Sequence, residues 1–208
     1  MLRPDIFYQM PDWIQRLYKG VEWRGDTSRK VVYLTFDDGP IPEVTPKVLE
    51  ILKKYDALAT FFMVGENALK YPELTAAVSR NGHRIGNHTQ NHIKGTMVTT
   101  GVYMYNVGRA DWSLGSCRLF RPPYGRLRRH QRKALLDLKY RIILWDVLTH
   151  DYDPAYTPEM MLNIVKKYTR NGSIINFHDS LKSNERMLTV LPQVLEFLQS
   201  EGYTTEIL

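Results

Sequence analysis

Thr35-Phe36-Asp37-Asp38-Gly39-Pro40 sets two adjacent carboxylates between the end of an apolar run and a chain-turning Gly-Pro. The preceding Val31-Val32-Tyr33-Leu34 is β-branched and aromatic without polar alternation, the pattern of a strand buried on both faces. Successive strand residues point to opposite faces, so a straight strand would offer only one of Asp37 and Asp38 to a site. A turn at the strand end can re-aim the other. Two acids at one strand tip can divide the work, one binding a cation while the other takes a proton. The same residues would also make a plain turn with two solvated acids. The remainder of the chain decides between these readings.

Outward from this strand, helical and extended segments alternate. Thr45 stands as a cap before Pro46, and Val48, Leu49, Ile51, Leu52 and Tyr55 give the next helix an apolar face. Ala59 to Val64 has strand character, Pro72 to Arg80 reads as a helix stopped by Asn81-Gly82, and His83 to Gly86 as a short strand. A longer helix is predicted over 101–114, with Val102, Tyr105, Val107 and Trp112 facing inward. Further helices are predicted over 129–139, from Thr157-Pro158 onward and over 187–200, with strands at 141–145, 173–177 and 203–207. This alternation predicts an α/β fold with a parallel sheet. The residues at 31–208 are expected to form one domain. Residues 1–30 are expected to form an N-terminal extension packed on it, with Trp13, Ile14, Leu17 and Tyr18 on one face of a short helix.

Composition narrows the function classes. The chain has 208 residues, 43% of them hydrophobic, enough for a sizeable single core. Its formal charge of +6 falls well short of a polybasic tail. The basic run Arg118, Arg121, Arg126, Arg128, Arg129, Arg132 and Lys133 has no interleaved aromatic platform, so no nucleic-acid partner is expected. Cys117 is the single cysteine and can form no intrachain disulfide. Residues 1–20 are broken by polar groups where a signal peptide would be apolar, and no stretch is long enough for a membrane span. A cytoplasmic protein is expected. The sequence carries no signal for oligomeric state.

Polar residues of interest fall just after predicted strands: Asp37, Asp38, His88, His92, Arg121, Asp151 and His178. In a barrel of parallel strands these ends gather at one face. His88 and His92 are four apart, which on a helical turn places both rings on one side. With a strand-tip Asp they suit zinc, or another borderline divalent metal, with positions left open for water and substrate. Calcium or magnesium would need more oxygen ligands. An open metal site favours hydrolysis of an amide or ester, with the spare Asp as base. His178 is the candidate acid for the leaving group, with Asp151 or Asp179 to keep it protonated. His83, His130 and His150 read as surface or packing residues.

These motifs, in this order over about residues 30–208, resemble the polysaccharide deacetylases of carbohydrate esterase family 4, the NodB-homology domain. The resemblance implies a distorted (β/α) barrel with fewer than eight regular units. It implies Asp37 as catalytic base, and Asp38, His88 and His92 as ligands of a divalent metal, zinc first, with cobalt or nickel as alternatives. Arg121-Pro122-Pro123-Tyr124-Gly125 matches a third motif, in which the Arg orients the base and the Tyr124 backbone N–H helps hold an oxyanion. His178 is implied as acid and Asp151 as the group that tunes it. The implied activity is removal of N- or O-acetyl groups from a carbohydrate polymer or glycoconjugate. The alternatives are a small-molecule amidohydrolase or a non-catalytic carbohydrate-binding protein on the same fold. Three positions depart from the family pattern: Leu148 where an acid is common, Tyr152 where Trp is common, and Asn176 where an apolar residue is usual. Asn176 lies two residues before His178, hence on the same strand face, and is expected to line the acyl pocket, to satisfy a hydrogen-bond network near His178, or to turn toward neighbouring strand-end backbone.

Overall fold

The structure, a computed structural model, describes residues 7–115 and 117–208. In chain order it runs α1 (Asp12–Leu17), β1 (Val21–Glu22), β2 (Val31–Asp37), α2 (Thr45–Lys54), β3 (Ala59–Met63), α3 (Gly65–Lys70), α4 (Pro72–Arg80) and β4 (Arg84–Asn87). There follow α5 (Thr100–Leu114), β5 (Leu119–Phe120), α6 (Arg129–Asp137), β6 (Arg141–Ile143), β7 (Val147–Leu148), α7 (Pro158–Tyr168), β8 (Ile174–His178), α8 (Asn184–Ser200) and β9 (Thr204–Thr205). The sheet order is β1-β6-β5-β4-β3-β2-β8-β7, with β9 added beside the start of β2, and every pairing is parallel. β1, β5 and β7 have only two residues each, so the curled sheet is a distorted (β/α) barrel with fewer than eight regular units.

β2 is an interior strand, paired with β3 and β8 and buried at all seven residues. Its Val32, Leu34 and Phe36 face outward into a core with α2, α7 and α8, where Phe36 stacks between Phe61 and Phe177 at 5.0 and 5.7 Å. Each such ring contributes about 1.5–3 kcal/mol relative to exposure. Val31 and Tyr33 face the barrel interior, packed with Trp23, Phe62, Leu144, Trp145 and Ile174. Farther along the same inner face the side chains turn polar: Thr35, then Asp37. The apolar floor therefore ends where the candidate site begins.

The segment before β2 is paired into the sheet as well as packed on it. Gln9 bridges to Val147 on one edge, Tyr8 O accepts from Leu148 N–H at 2.9 Å, and β1 pairs with β6 on the other edge. It thus straddles the gap that the sheet leaves between β7 and β6. Of the predicted helix face, Ile14 and Tyr18 pack inward, whereas Trp13 and Leu17 are exposed.

Two other expectations are corrected. In α5 the inward residues are Tyr103, Val107 and Ala110; of the predicted set only Val107 is buried, and Val102, Tyr105 and Trp112 face solvent. The choice follows from space: a Cβ on Gly65 would lie 2.9 Å from Ala110 Cα, an approach that a Trp or Tyr side chain would block. Thr45 does not cap α2 but is its first residue, after Val44. Its hydroxyl accepts from Ile41 N–H and donates to Asp179. Thr157 does cap α7, accepting from Met160 N–H. Among the described residues no helix is long and apolar enough to cross a membrane.

Candidate active site

The carboxyl ends of the parallel strands converge on a cavity of about 530 Å³. Asp37, Asp38, His88, His92, Tyr124 and His178 line it, with Trp145, Leu148, Tyr152 and Leu181 forming an apolar wall. Arg121 and Asp151 stand directly behind these residues, both fully buried. Asp37 ends β2. At Asp38 the backbone turns into the left-handed region (φ 84°), which brings the second carboxylate round to the same side as the first.

His88 and His92 do not lie on a helix. They lie in the loop after β4, and Thr89 (φ 65°) and His92 (φ 52°) fold that loop so that the rings approach to 5.0 Å between centroids. The ring proximity inferred from their spacing is present, but two left-handed residues produce it. Left-handed conformations of residues other than glycine are uncommon and gather at functional sites; Tyr124 (φ 61°) is a fourth here.

Asp38, His88 and His92 each offer one ligand atom, and these atoms lie within 4.8 Å of one another. His92 Nε2 is 3.2 Å and His88 Nε2 3.7 Å from Asp38 Oδ1, a buried oxygen with no hydrogen-bond donor aligned on it. His88 Nδ1 is 2.8 Å from the Arg121 carbonyl, which fixes the proton there and leaves a lone pair on Nε2. Burial lowers the His88 pKa to about 4, so its ring is neutral. Burial pushes the Asp38 carboxyl up, but His92, His178 and His88 more than reverse this and hold it well below the usual range. Two ring nitrogens and a carboxylate oxygen gathered this closely fit a divalent cation, and two imidazoles with one carboxylate fit zinc, cobalt or nickel.

Asp37 is held on the opposite side. The fully buried Arg121 donates from Nη1 to Asp37 Oδ1 (2.7 Å) and to the Thr35 hydroxyl (2.7 Å), and from Nη2 to the Leu144 carbonyl (3.1 Å). Its guanidinium lies 4.2 Å from the Phe62 ring centroid. His178 is the register partner of Asp37 on β8, so the two flank the cavity. Asp151 Oδ1 lies 2.8 Å from His178 Nδ1, and Asp151 Oδ2 accepts the His178 backbone N–H at 2.7 Å. Burial depresses the imidazole, but the Asp151 charge and hydrogen bond outweigh it and raise its pKa to about 9.

The structure separates the two acids considered for His178. Asp179 turns away, accepting from Gly39 N–H (3.0 Å) and Thr45 (2.6 Å), and a Cβ on Gly39 would come within 2.0 Å of its Oδ2. Burial raises its pKa to about 8. His83 and His150 are buried packing residues, the first accepting from Ala59 N–H and the second stacked on Tyr156, and His130 is exposed. Asn176 does not line the cavity: it is fully buried and bonds to Asp37, Arg121 and Thr35. Sequence reasoning also missed Asn67, whose Nδ2 donates to the Asp38 carbonyl at 2.8 Å, and Arg186, which donates to the Asp151 carbonyl from the first turn of α8. Only the two-residue strand period could have flagged Thr35, which stands two before Asp37 as Asn176 stands two before His178.

Known proteins similar to this chain include deacetylases. The polysaccharide deacetylase family model matches residues 24–143. A peptidoglycan-N-acetylglucosamine deacetylase of Bacillus cereus (strain ATCC 14579) is 32% identical over 188 residues, covering 88% of this chain and 88% of that protein. A chitooligosaccharide deacetylase of Azorhizobium caulinodans is 34% identical over 192 residues, covering 84% of this chain and 91% of its own. The crystal structure of the Bc1960 peptidoglycan N-acetylglucosamine deacetylase superposes with a TM-score of 0.89 at 29% identity, over 96% of this chain and 95% of that one. With a family match across more than half its length and relatives aligned nearly end to end, the chain belongs to the polysaccharide deacetylase family.

Proposed function

We propose that the protein is a metal-dependent hydrolase that removes N-acetyl groups from an N-acetylglucosamine-containing glycan, with Asp37 as general base and His178 as general acid. The observation that carries this reading is their arrangement. Asp37 and His178 are in register on adjacent strands and both line the cavity beside the Asp38, His88 and His92 cluster, which supports a carboxylate and a protonated imidazole acting on one substrate. That cluster would hold zinc, or else cobalt or nickel, and the ion would supply Lewis acidity at the acetyl carbonyl.

The chain's own groups account for the proton traffic. Asp37, aimed by Arg121, takes a proton from water as the water oxygen bonds to the acetyl carbon. Tyr124 lines the same cavity, and its backbone N–H would serve as a donor to the developing oxyanion. His178, kept charged by Asp151, gives its proton to the sugar nitrogen as the C–N bond breaks, releasing acetate and a free amine. The apolar wall of Trp145, Leu148 and Leu181 suits the acetyl methyl group. A peptidoglycan substrate would place the protein outside the cytoplasmic membrane, against the cytoplasmic expectation, and cell fractionation distinguishes the two.

The test is acetate release from chitooligosaccharides, peptidoglycan fragments and acetylated xylan, with and without a chelator. Chelator-sensitive release from at least one of the first two is expected. Turnover confined to small non-sugar amides would support an amidohydrolase instead.

A further inference from the structure

We infer that Asn176 is a positioning residue that locks the plane of the Asp37 carboxylate, an inference that rests on the reading of Asp37 as the general base. Asn176 pairs with Thr35 in the β8–β2 register, as His178 pairs with Asp37 two residues on, so all four side chains share the inner face. The Asn176 amide works from both ends. Its Nδ2 donates to Asp37 Oδ2 at 3.2 Å, and its Oδ1 accepts from Arg121 Nη1 and from the Thr35 hydroxyl at 3.0 Å. The same Nη1 reaches Asp37 Oδ1 at 2.7 Å, so Asp37, Arg121 and Asn176 form a closed hydrogen-bonded ring.

The ring matters because Arg121 does not grip Asp37 with the two-pronged geometry open to a guanidinium. Its Nη1 serves one carboxylate oxygen, while Nη2 and Nε are turned to the Leu144 and Ile143 carbonyls. A carboxylate held at one oxygen still rotates about its terminal torsion, which is broad. The bond from Asn176 supplies the second fixed point and so aims the remaining lone pairs at the cavity. Asn176 has no exposed surface and is absent from the cavity wall, so it acts through Asp37 and not on substrate.

A kinetic double-mutant cycle tests this, using N-acetylglucosamine oligomers and metal-loaded full-length protein. Asn176→Leu keeps the volume filled, and Asn176→Ala serves should Leu not fold. Either is expected to lower kcat about 10- to 100-fold, the order expected from misplacing a reacting group, with KM and metal content unchanged. In an Asp37→Asn background the same substitution is expected to change the residual kcat by less than about twofold, because coupled residues are not additive. A kcat within about twofold of wild type, or an equal loss in both backgrounds, would overturn the inference while leaving Asp37 as base. Wild-type turnover in Asp37→Asn alone would remove the base assignment and this inference with it.

Discussion

Asp151 grips His178 at two points, ring and main chain, with Oδ1 2.8 Å from Nδ1 and Oδ2 2.7 Å from the backbone nitrogen. The ring proton is thereby fixed on the Asp side and Nε2 is turned toward the cavity. Arg186 holds the Asp151 carbonyl in turn, so the acid is braced from α8. The His178 pKa, raised to about 9, means that the imidazole carries its proton at neutral pH.

Turnover that needs protonated His178 is present below this pKa and is lost as pH rises through it. Asp151→Asn removes the anion that raises the pKa, so the alkaline limb of the pH–rate profile should move down by about 1–3 units. A pH series of kcat/KM on both proteins checks this. An unmoved alkaline limb would leave Asp151 as a backbone anchor only.

The two neighbouring acids should separate by assay. Asp37→Asn is expected to retain metal but lose about 10²–10⁴-fold in turnover, as when a general base is removed. Asp38→Asn should lose the metal itself, because it removes a charged ligand. Elemental analysis of the two purified variants, alongside kcat, decides; equal metal loss in both would contradict this division.

A ligand that binds only the folded chain stabilises it, so adding zinc to the apo protein should raise its Tm. His88→Ala and His92→Ala should remove that rise. Calorimetry with and without zinc reads this independently of catalysis, and a wild-type shift in both variants would move the metal elsewhere.

Asp146 lies outside the cavity and serves the fold. Buried, it accepts from Arg170 Nη2 at 2.7 Å, Arg170 Nε at 3.0 Å and Ser173 at 2.7 Å, and Gln9 donates to it from the segment that straddles the barrel gap. Removing one partner of a buried pair costs about 3–5 kcal/mol. Arg170 is 31% exposed and keeps Asp12 as a second partner, so Asp146→Ala is expected to fall below that range, at about 1–3 kcal/mol. Urea unfolding measures the loss, and a cost below about 1 kcal/mol would show that the pair holds little.

What the sequence disclosed follows from which forces are local. Strand tips were legible because apolar runs such as Val31 to Leu34 end abruptly in polar residues, and parallel strands must bring such ends together. The convergence of His88 and His92 was legible from spacing, but its cause was not, because the loop depends on left-handed backbone at Thr89 and His92 that neither residue type announces. The buried face of α5 was misjudged because large aromatics attract an inward assignment, whereas close packing at Gly65 and Ala110 decided it. For Asn176 the strand period gives the face but not the depth, which leaves pocket lining and a buried network equally open; one layer below the cavity it meets Asp37 and Arg121 instead of substrate.

A carbohydrate deacetylase working through a divalent ion held by Asp38, His88 and His92 must lose its turnover with the metal. The most direct test is to strip the protein with a chelator, remove the chelator, and titrate zinc back while following acetate release from an N-acetylglucosamine oligomer. Negligible release from the stripped protein is expected, with recovery that saturates near one zinc per chain and no recovery in His88→Ala. Full release from demonstrably metal-free protein, or equal recovery in His88→Ala, would contradict it.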